Sequence, residues 1–391
     1  MIDPATSVID RAHALVEDRS LRAVAAWKDA HPGGLAIGHM PIYVPRPLIE
    51  ALGCLPVAIF GGGEIDIIRG DSYFQSYICH IPRSTVELAL GGDLALLDGM
   101  LFPAICDVIR NLGGMWKMLF PDSYTAYVDL PQNFDMKVGG KFYAHELRRI
   151  ANELEQRGAA PLRPEPLRAA IDAESKRRQA IAELDAVRRA EPWRLRASEA
   201  YLVVRAGATL PASAHEQLVR EFVAAIKQRA ARPVDNVRVV LVGSFCEQPP
   251  FDLIRALEKS GCDIVDDDFQ LGMRMIDGPI VVGEDEDPVM ALARGYLEQG
   301  RDTASRYIAE LVKGAALIKR VKACHADGVI FAAASFCDPA LLDQPMLETA
   351  LTRAGIPHTS FKFAENNGQF QVIREQAGAF SDAVKLWGAA S

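Results

Sequence analysis

Cys79, Cys106 and Cys337 are the residues of this chain best suited to chemistry. Each lies in a polar, turn-forming phrase that follows an apolar run: "YICHIPRS", "GMLFPAICDVIRN" and "GVIFAAASFCDP". Open α/β sheets place their sites at the carboxyl ends of strands, and thiolates are the usual protein ligands of iron–sulfur clusters. Three such residues, scattered in sequence and gathered by folding, would hold a cluster on an incomplete set of protein ligands. One iron would then be open to chemistry. The plainer alternative is packing, because cysteine is among the most buried residue types. Equivalent placement of all three weighs against that alternative without removing it.

The flanking residues add detail. "DVIRN" after Cys106 reads as a first helical turn, where the helix dipole favours a thiolate. Asp338 and Pro339 follow Cys337, and proline suits an early helical position. His80 and Pro82 follow Cys79, ahead of the helical "STVELALGG". Cys246, in "GSFCEQPP", also follows a strand and is a second candidate for the cluster or for the pocket wall. Its neighbours Glu247 and Gln248 are suited to proton handling or substrate contact, as is His80; for each, a structural role is the alternative. Cys54, Cys262 and Cys324 have apolar neighbours in helix–strand turns and read as packing residues.

Weaker signals accompany these. "GGGEID" (Gly61–Asp66) follows a strand, where glycines let backbone N–H groups approach a ligand; a tight turn explains it equally well. Glu64 and Arg83 are polar candidates near a site, with solvation as the alternative. Asp266, Asp267 and Asp268 end a strand as carboxylate ligands do, but a solvated acidic loop is the preferred expectation. His39 could line a pocket or sit satisfied in the core.

The elements that must position these residues are legible. Strands are predicted at Leu35–His39, Val57–Phe60, Leu96–Phe102, Tyr124–Val128 and Val237–Val242, with further ones in "CDIVDDD", "GVIFAAA" and "PHTSFKF". The order helix, glycine, strand recurs in "PLIEALGCLPVAIF", "FDLIRALEKSGCDIVDDD" and "LLDQPMLETALTRAGIPHTSFKF". Such alternation predicts an α/β protein with parallel sheets covered by helices. A short helical entry over about 7–30 precedes them. Between the two α/β segments, Leu167, Ile171, Ile181, Leu184 and Val187 fall near helical spacing. Pro161, Pro164 and Pro166 stop one helix and start another. The expected division is a first α/β domain (1–150), a helical connector (151–234) and a second α/β domain (235–391).

Composition bounds the function. The chain has 391 residues, 49% hydrophobic and 24% charged, an ordinary globular balance. Its length favours two domains. A net charge of −8 gives no basic footprint for nucleic acid. No basic, apolar leader is visible and no apolar run nears the roughly 20 residues of a membrane span, so a cytoplasmic protein is expected. Seven cysteines without a C-x-x-C pair argue against disulfides and local metal clips. No G-x-x-x-x-G-K-[ST], G-x-S-x-G or H-E-x-x-H is present, so no nucleotide is expected on this chain and the common hydrolase readings fall away.

The phrases "GHMPIYVPRPLIEALGCLPV", "DGMLFPAICDVIRNLGGMW", "GSFCEQPPFDLIRALEKSGCDIVDDDFQLGMRMIDGPI" and "GVIFAAASFCDP" make the chain similar to the 2-hydroxyacyl-CoA dehydratase/benzoyl-CoA reductase family over nearly its whole length. The resemblance implies two flavodoxin-like α/β domains. It also implies a cubane-type iron–sulfur cluster, [4Fe-4S] or a larger derivative, on three cysteines whose matching positions are Cys79, Cys106 and Cys337. Further implied are a second homologous core subunit, a separate ATPase that activates electrons, ferredoxin as their donor, and an acyl-CoA substrate. The activity implied is low-potential reduction of benzoyl-CoA to a cyclic dienoyl-CoA. Radical elimination of water from a 2-hydroxyacyl-CoA, or a non-catalytic electron relay, are the alternatives.

Overall fold

In the computed structural model, which describes residues 4–61, 65–306, 312–364 and 370–388, eight strands form two all-parallel sheets. The first contains β1 (Ala36–His39), β2 (Leu55–Ala58), β3 (Gly99–Pro103) and β4 (Tyr124–Val128) in the order β2-β1-β3-β4. The second contains β5 (Val237–Val242), β6 (Cys262–Asp267), β7 (Gly328–Ala334) and β8 (His358–Phe363) in the order β6-β5-β7-β8. Both repeat the flavodoxin-like pattern, with the strand order reversing between the first and third strand of each set.

Burial on both faces explains the near-continuous apolar strands. Gly328–Ala334 is buried at every position, as helices covering both sides of a parallel sheet require. β4 and β5 have the bounds read from the sequence. β2 starts two residues earlier, immediately after the turn at Gly53 and Cys54. Its Pro56 pairs opposite Ile37 on an edge strand, where a missing N–H is tolerated. β3 starts later than expected because residues 92–97 form turns before the strand.

The helices are α1 (Pro4–Val16), α2 (Arg22–Ala30), α3 (Arg46–Ala51), α4 (His80–Gly91), α5 (Asp107–Leu119), α6 (Lys141–Glu155), α7 (Pro164–Ala190), α8 (Ala197–Arg205), α9 (Ala212–Gln228), α10 (Phe251–Lys259), α11 (Pro288–Gln299), α12 (Ala315–Ala323), α13 (Asp338–Arg353) and α14 (Phe370–Gly388). None of them is long and apolar enough to cross a membrane among the described residues. Pro164 opens α7, a 27-residue helix that packs against α9 and α3. Ala5, Val8 and Ala12 of α1 share a buried cluster with Leu184 of α7 and Phe222 of α9. A larger apolar cluster contains Ile37 and Phe102 of the first sheet and Leu241 and Ala333 of the second. One apolar cluster thus runs through both sheets.

Buried charge ties α7 to the second sheet. The solvated loop expected for Asp266, Asp267 and Asp268 is not what forms. Asp266 is 2% and Asp267 1% exposed. Asp266 pairs with Arg189 (3.0 Å) and Arg320 (2.9 Å), Asp268 with Arg320 (2.9 Å), and Asp267 with Arg188 and Arg274. Buried carboxylates persist only when paired in this way. Burial alone would raise the Asp266 carboxyl, but Arg320 and Arg189 hold it far below the ordinary range.

Candidate functional site

Each of the three cysteines read from the sequence is the N-cap of a helix: Cys79 of α4, Cys106 of α5 and Cys337 of α13. Cys106 and Cys337 follow the third strand of their sheets, and Cys246 lies in the loop after β5, the first strand of the second set. Cys106, Cys246 and Cys337 therefore stand beside the points where strand order reverses, and Cys79 arrives by the long loop after β2.

The fold brings the four thiols into electrostatic reach of one another. Burial pushes the Cys79 thiol well above its ordinary value, and Glu247, Cys337 and Cys106 push it further. Burial also dominates at Cys246, where Cys337, Cys106, Cys79 and Glu247 add to the rise. Cys337 is pushed up to about 12, first by burial and then, against help from the Ala340 N–H, by Glu247 and Cys106. At Cys106 burial again comes first, with the N–H groups of Ile109 and Val108 drawing the thiol back and Asp107 and Asp338 opposing them. The charges acting most strongly on this group are carboxylates and one another, not cations. Such thiols hold their protons more tightly than free cysteine and release them when a metal-bearing group binds the sulfur.

Glu247 is buried, 4% exposed, within reach of three of the thiols. The loop that carries it is locked by Gln248. The Gln248 side-chain amide donates to the carbonyls of Ser244 and Cys246 (both 3.2 Å) and accepts from the Gln270 N–H at 2.9 Å. His80 is half-buried as the first residue of α4. Arg83 turns away into a two-pronged pair with Asp71 (2.6 and 3.0 Å). Glu64 lies outside the described residues. Gly61, at φ +78, presses its backbone against α4, where a Cβ would stand 2.3 Å from Ser84 Oγ. His39 ends β1 at 2% exposure, with Nδ1 2.8 Å from the Met40 carbonyl. Burial, reinforced by Arg46, lowers it to about 3 and keeps it neutral.

The remaining cysteines sort by the end of the sheet. Cys54 precedes β2, Cys262 begins β6 and Cys324 precedes β7, so all three lie at amino ends. They are buried at 3%, 0% and 3% exposure, as packing residues are. Sequence reasoning missed Tyr43, which follows β1 at 1% exposure with a left-handed backbone (φ +69). Its phenol bonds to Thr303 and, at 2.8 Å, to Ser305. Partners 260 and 262 positions away leave no local signal.

Residues 41–384 match the family described as 2-hydroxyglutaryl-CoA dehydratase, D-component. The chain belongs to this family. It is 45% identical over 382 residues to one of the subunits of benzoyl-CoA reductase from Thauera aromatica, covering 97% of this chain and 98% of that protein. Identity is 27% to the (R)-phenyllactyl-CoA dehydratase beta subunit of Clostridium sporogenes (90% and 92% covered). It is 26% to the beta subunit of (R)-2-hydroxyglutaryl-CoA dehydratase of Acidaminococcus fermentans (90% and 93% covered). The family match begins just after β1 and runs through the rest of both sheets into α14.

Among the described residues no three His, Cys, Asp or Glu side chains are gathered tightly enough to hold a single metal ion. A cubane cluster makes a different demand, because each thiolate binds a different iron at a different corner and the sulfurs stand farther apart. Four thiols in mutual electrostatic reach, two buried and two half-buried, with no cation among the charges acting most strongly on them, fit that wider requirement.

Proposed function

We propose that this chain is an iron–sulfur core subunit of a benzoyl-CoA reductase, with Cys79, Cys106 and Cys337 as the cluster ligands. The convergence of three helix N-cap thiols from two sheets is the observation that carries the reading. The 45% identity over nearly the full length supports the reductase assignment over other members of the family. When bound, the cluster would supply single electrons of low potential to an aromatic acyl thioester.

The chain's own residues do the rest. α4, α5 and α13 present their N-termini to the thiolates and stabilise negative charge there. Cys246 lies within electrostatic reach of all three. The Gln248 clamp holds Glu247 in place, and Glu247 and His80 are two groups beside the thiols able to exchange protons with a bound substrate. The lack of a nucleotide motif assigns energy input to a separate ATPase partner, with ferredoxin as electron donor. A second homologous core protein completes the catalytic unit in the cytoplasm.

The test is anaerobic assembly of the complex, followed by iron and sulfide analysis and assay with benzoyl-CoA. Dienoyl-CoA formed in step with ATP hydrolysis is the expected result. Cys→Ser at position 79, 106 or 337 should lower bound iron severalfold, whereas Cys262→Ser should not. An assembled complex without iron would overturn the proposal. The dehydratase relatives favour a second reading, elimination of water from a 2-hydroxyacyl-CoA, which the same assay separates by its catalytic rather than stoichiometric use of electrons.

A further inference from the structure

Reduction of a ring consumes a proton for every electron, and a buried centre needs a route by which those protons arrive. Three hydroxyls, those of Tyr43, Thr303 and Ser305, are hydrogen-bonded together. Tyr43 leaves β1 at the reversal point of the first sheet and lies in electrostatic reach of Cys246. Its left-handed backbone is unusual for a bulky residue, and such strain persists only where surrounding structure over-determines it. Here the fixing contacts are the Thr303 and Ser305 hydroxyls and the Tyr296 ring, edge-on at 6.2 Å. Thr303 lines a cavity of about 460 Å³, whose wall also includes Phe245 and Ala340. Phe245 adjoins Cys246, and Ala340 lies in the first turn of the helix that Cys337 caps. Ser305 is half-buried. Tyr43 Oη thus joins two hydroxyls, and one of them, Thr303, opens onto a cavity whose wall also carries the neighbours of Cys246 and Cys337.

We propose that Ser305, Thr303 and Tyr43 form the proton-supply route of this centre, with Tyr43 Oη as the delivering atom. The inference rests on the reductase reading above. Hydroxyls both donate and accept, so each passes one proton on as it takes another. For each electron supplied by a low-potential one-electron carrier of the ferredoxin class, the Tyr43 O–H breaks and one C–H bond forms on the reduced ring. The phenolate regains its proton from Thr303 or Ser305, and Thr303 recovers one from water in the cavity it lines. Two rounds balance a two-electron, two-proton reduction. Burial pushes the phenol up to about 12, so the proton stays in place until a strongly basic carbon is generated.

The experiment uses the assembled, iron-loaded complex with Tyr43→Phe, Thr303→Val, Thr303→Ser and Ser305→Ala. Tyr43→Phe retains the ring that packs on Tyr296. Its iron content and low-temperature magnetic spectrum should match the parent, while turnover falls about 100-fold, the usual scale for a lost proton donor. Thr303→Val should enlarge the solvent deuterium isotope effect, and Thr303→Ser should restore the parent value. Turnover of Tyr43→Phe within twofold of the parent, or an unchanged isotope effect in Thr303→Val, overturns the route. A loss of activity that merely tracks lost iron also overturns it. If the iron-loaded parent eliminates water instead of reducing a ring, the reductase reading fails by itself. The same ratios and isotope effects, measured on that acyl-CoA, then decide whether the route exists.

Discussion

Asp267→Asn tests how strongly buried charge holds the cysteine loops in place. Arg188 and Arg274 both contact Asp267, and both also contact Asp185, at 3.0 Å each. The four side chains make a closed set of two cations and two anions, each at most 6% exposed at the side chain. Asparagine keeps the shape and keeps an oxygen for the Phe269 N–H, which Asp267 accepts at 2.7 Å. The substitution therefore removes the charge together with the acceptor for Arg188, against which the asparagine NH2 now sits, leaving two guanidinium groups on one carboxylate.

Removing one partner of a buried ion pair costs about 3–5 kcal/mol because an uncompensated charge stays behind. Against a total stability on the order of 5–15 kcal/mol, that is a severe loss. The assay is urea unfolding followed by circular dichroism, with stability taken from midpoint and slope. Adding Arg188→Met should recover part of the loss, since Arg274 and Asp185 then remain as a matched pair. A single-variant loss under about 1 kcal/mol, the scale of an exposed pair, would refute the argument, as would a double variant no more stable than Asp267→Asn. The consequence extends to the site. Asp267 anchors the turn that carries Gln270, and Gln270 fixes the Gln248 clamp behind Cys246.

Two further outcomes are expected. His39 and His215 are buried and lowered to about 3, chiefly by burial, so between about pH 6.5 and 3 the unfolded chain binds more protons than the folded one. Their contribution is complete above pH 6.5 and declines as pH falls, and His215→Gln should flatten the stability–pH slope by about 1 kcal/mol per unit between pH 6 and 4; an unchanged slope in urea titrations at those pH values would contradict this. Gly272→Ala would place a Cβ 1.8 Å from the Pro41 carbonyl oxygen, where the turn after β6 meets the loop after β1. The cost should be about 2–3 kcal/mol, and a thermal midpoint equal to the parent's would show that this contact yields.

What was legible in the sequence was local. β4 and β5 were bounded by apolar runs and neighbouring turn residues, so their limits could be read directly. Proline at 164 marked the start of α7 because its ring pre-sets the first helical φ. The thiols at 106 and 337 were visible because a strand end followed by a helix start is also a local pattern, whereas Cys79 follows a loop and only the helix start after it is local. The acidic run at 266–268 misled because its cations lie elsewhere in the chain. Arg188 is 79 positions before Asp267, and Arg320 is 54 after Asp266. Without those partners, three consecutive carboxylates can only be read as solvated. Tyr43 was silent for the same reason, since a lone tyrosine in "MPIYVPRP" says nothing about hydroxyls from the other half of the chain.

The sorting of cysteines by sheet end follows from the same physics. At the amino ends of strands the helix C-termini present carbonyl oxygens, which disfavour a thiolate, so Cys54, Cys262 and Cys324 can remain inert packing groups. At the carboxyl ends the helix N-termini present N–H groups, and α4, α5 and α13 supply this partial positive charge without a lysine or arginine. The distinction matters for the proposed chemistry. A full cation beside a cluster makes its reduction easier and raises its potential, whereas neighbouring negative charge lowers it. Glu247, buried within reach of Cys79, Cys246 and Cys337, acts in the lowering direction. Under the proposed reading, dipoles suffice to hold the thiolates while the net charge stays negative, and that combination keeps an electron reducing enough to enter an aromatic ring. Glu247→Gln should accordingly raise the midpoint potential of the iron-loaded complex, measured by anaerobic redox titration, and a potential at or below the parent's would break this link between local charge and reducing power.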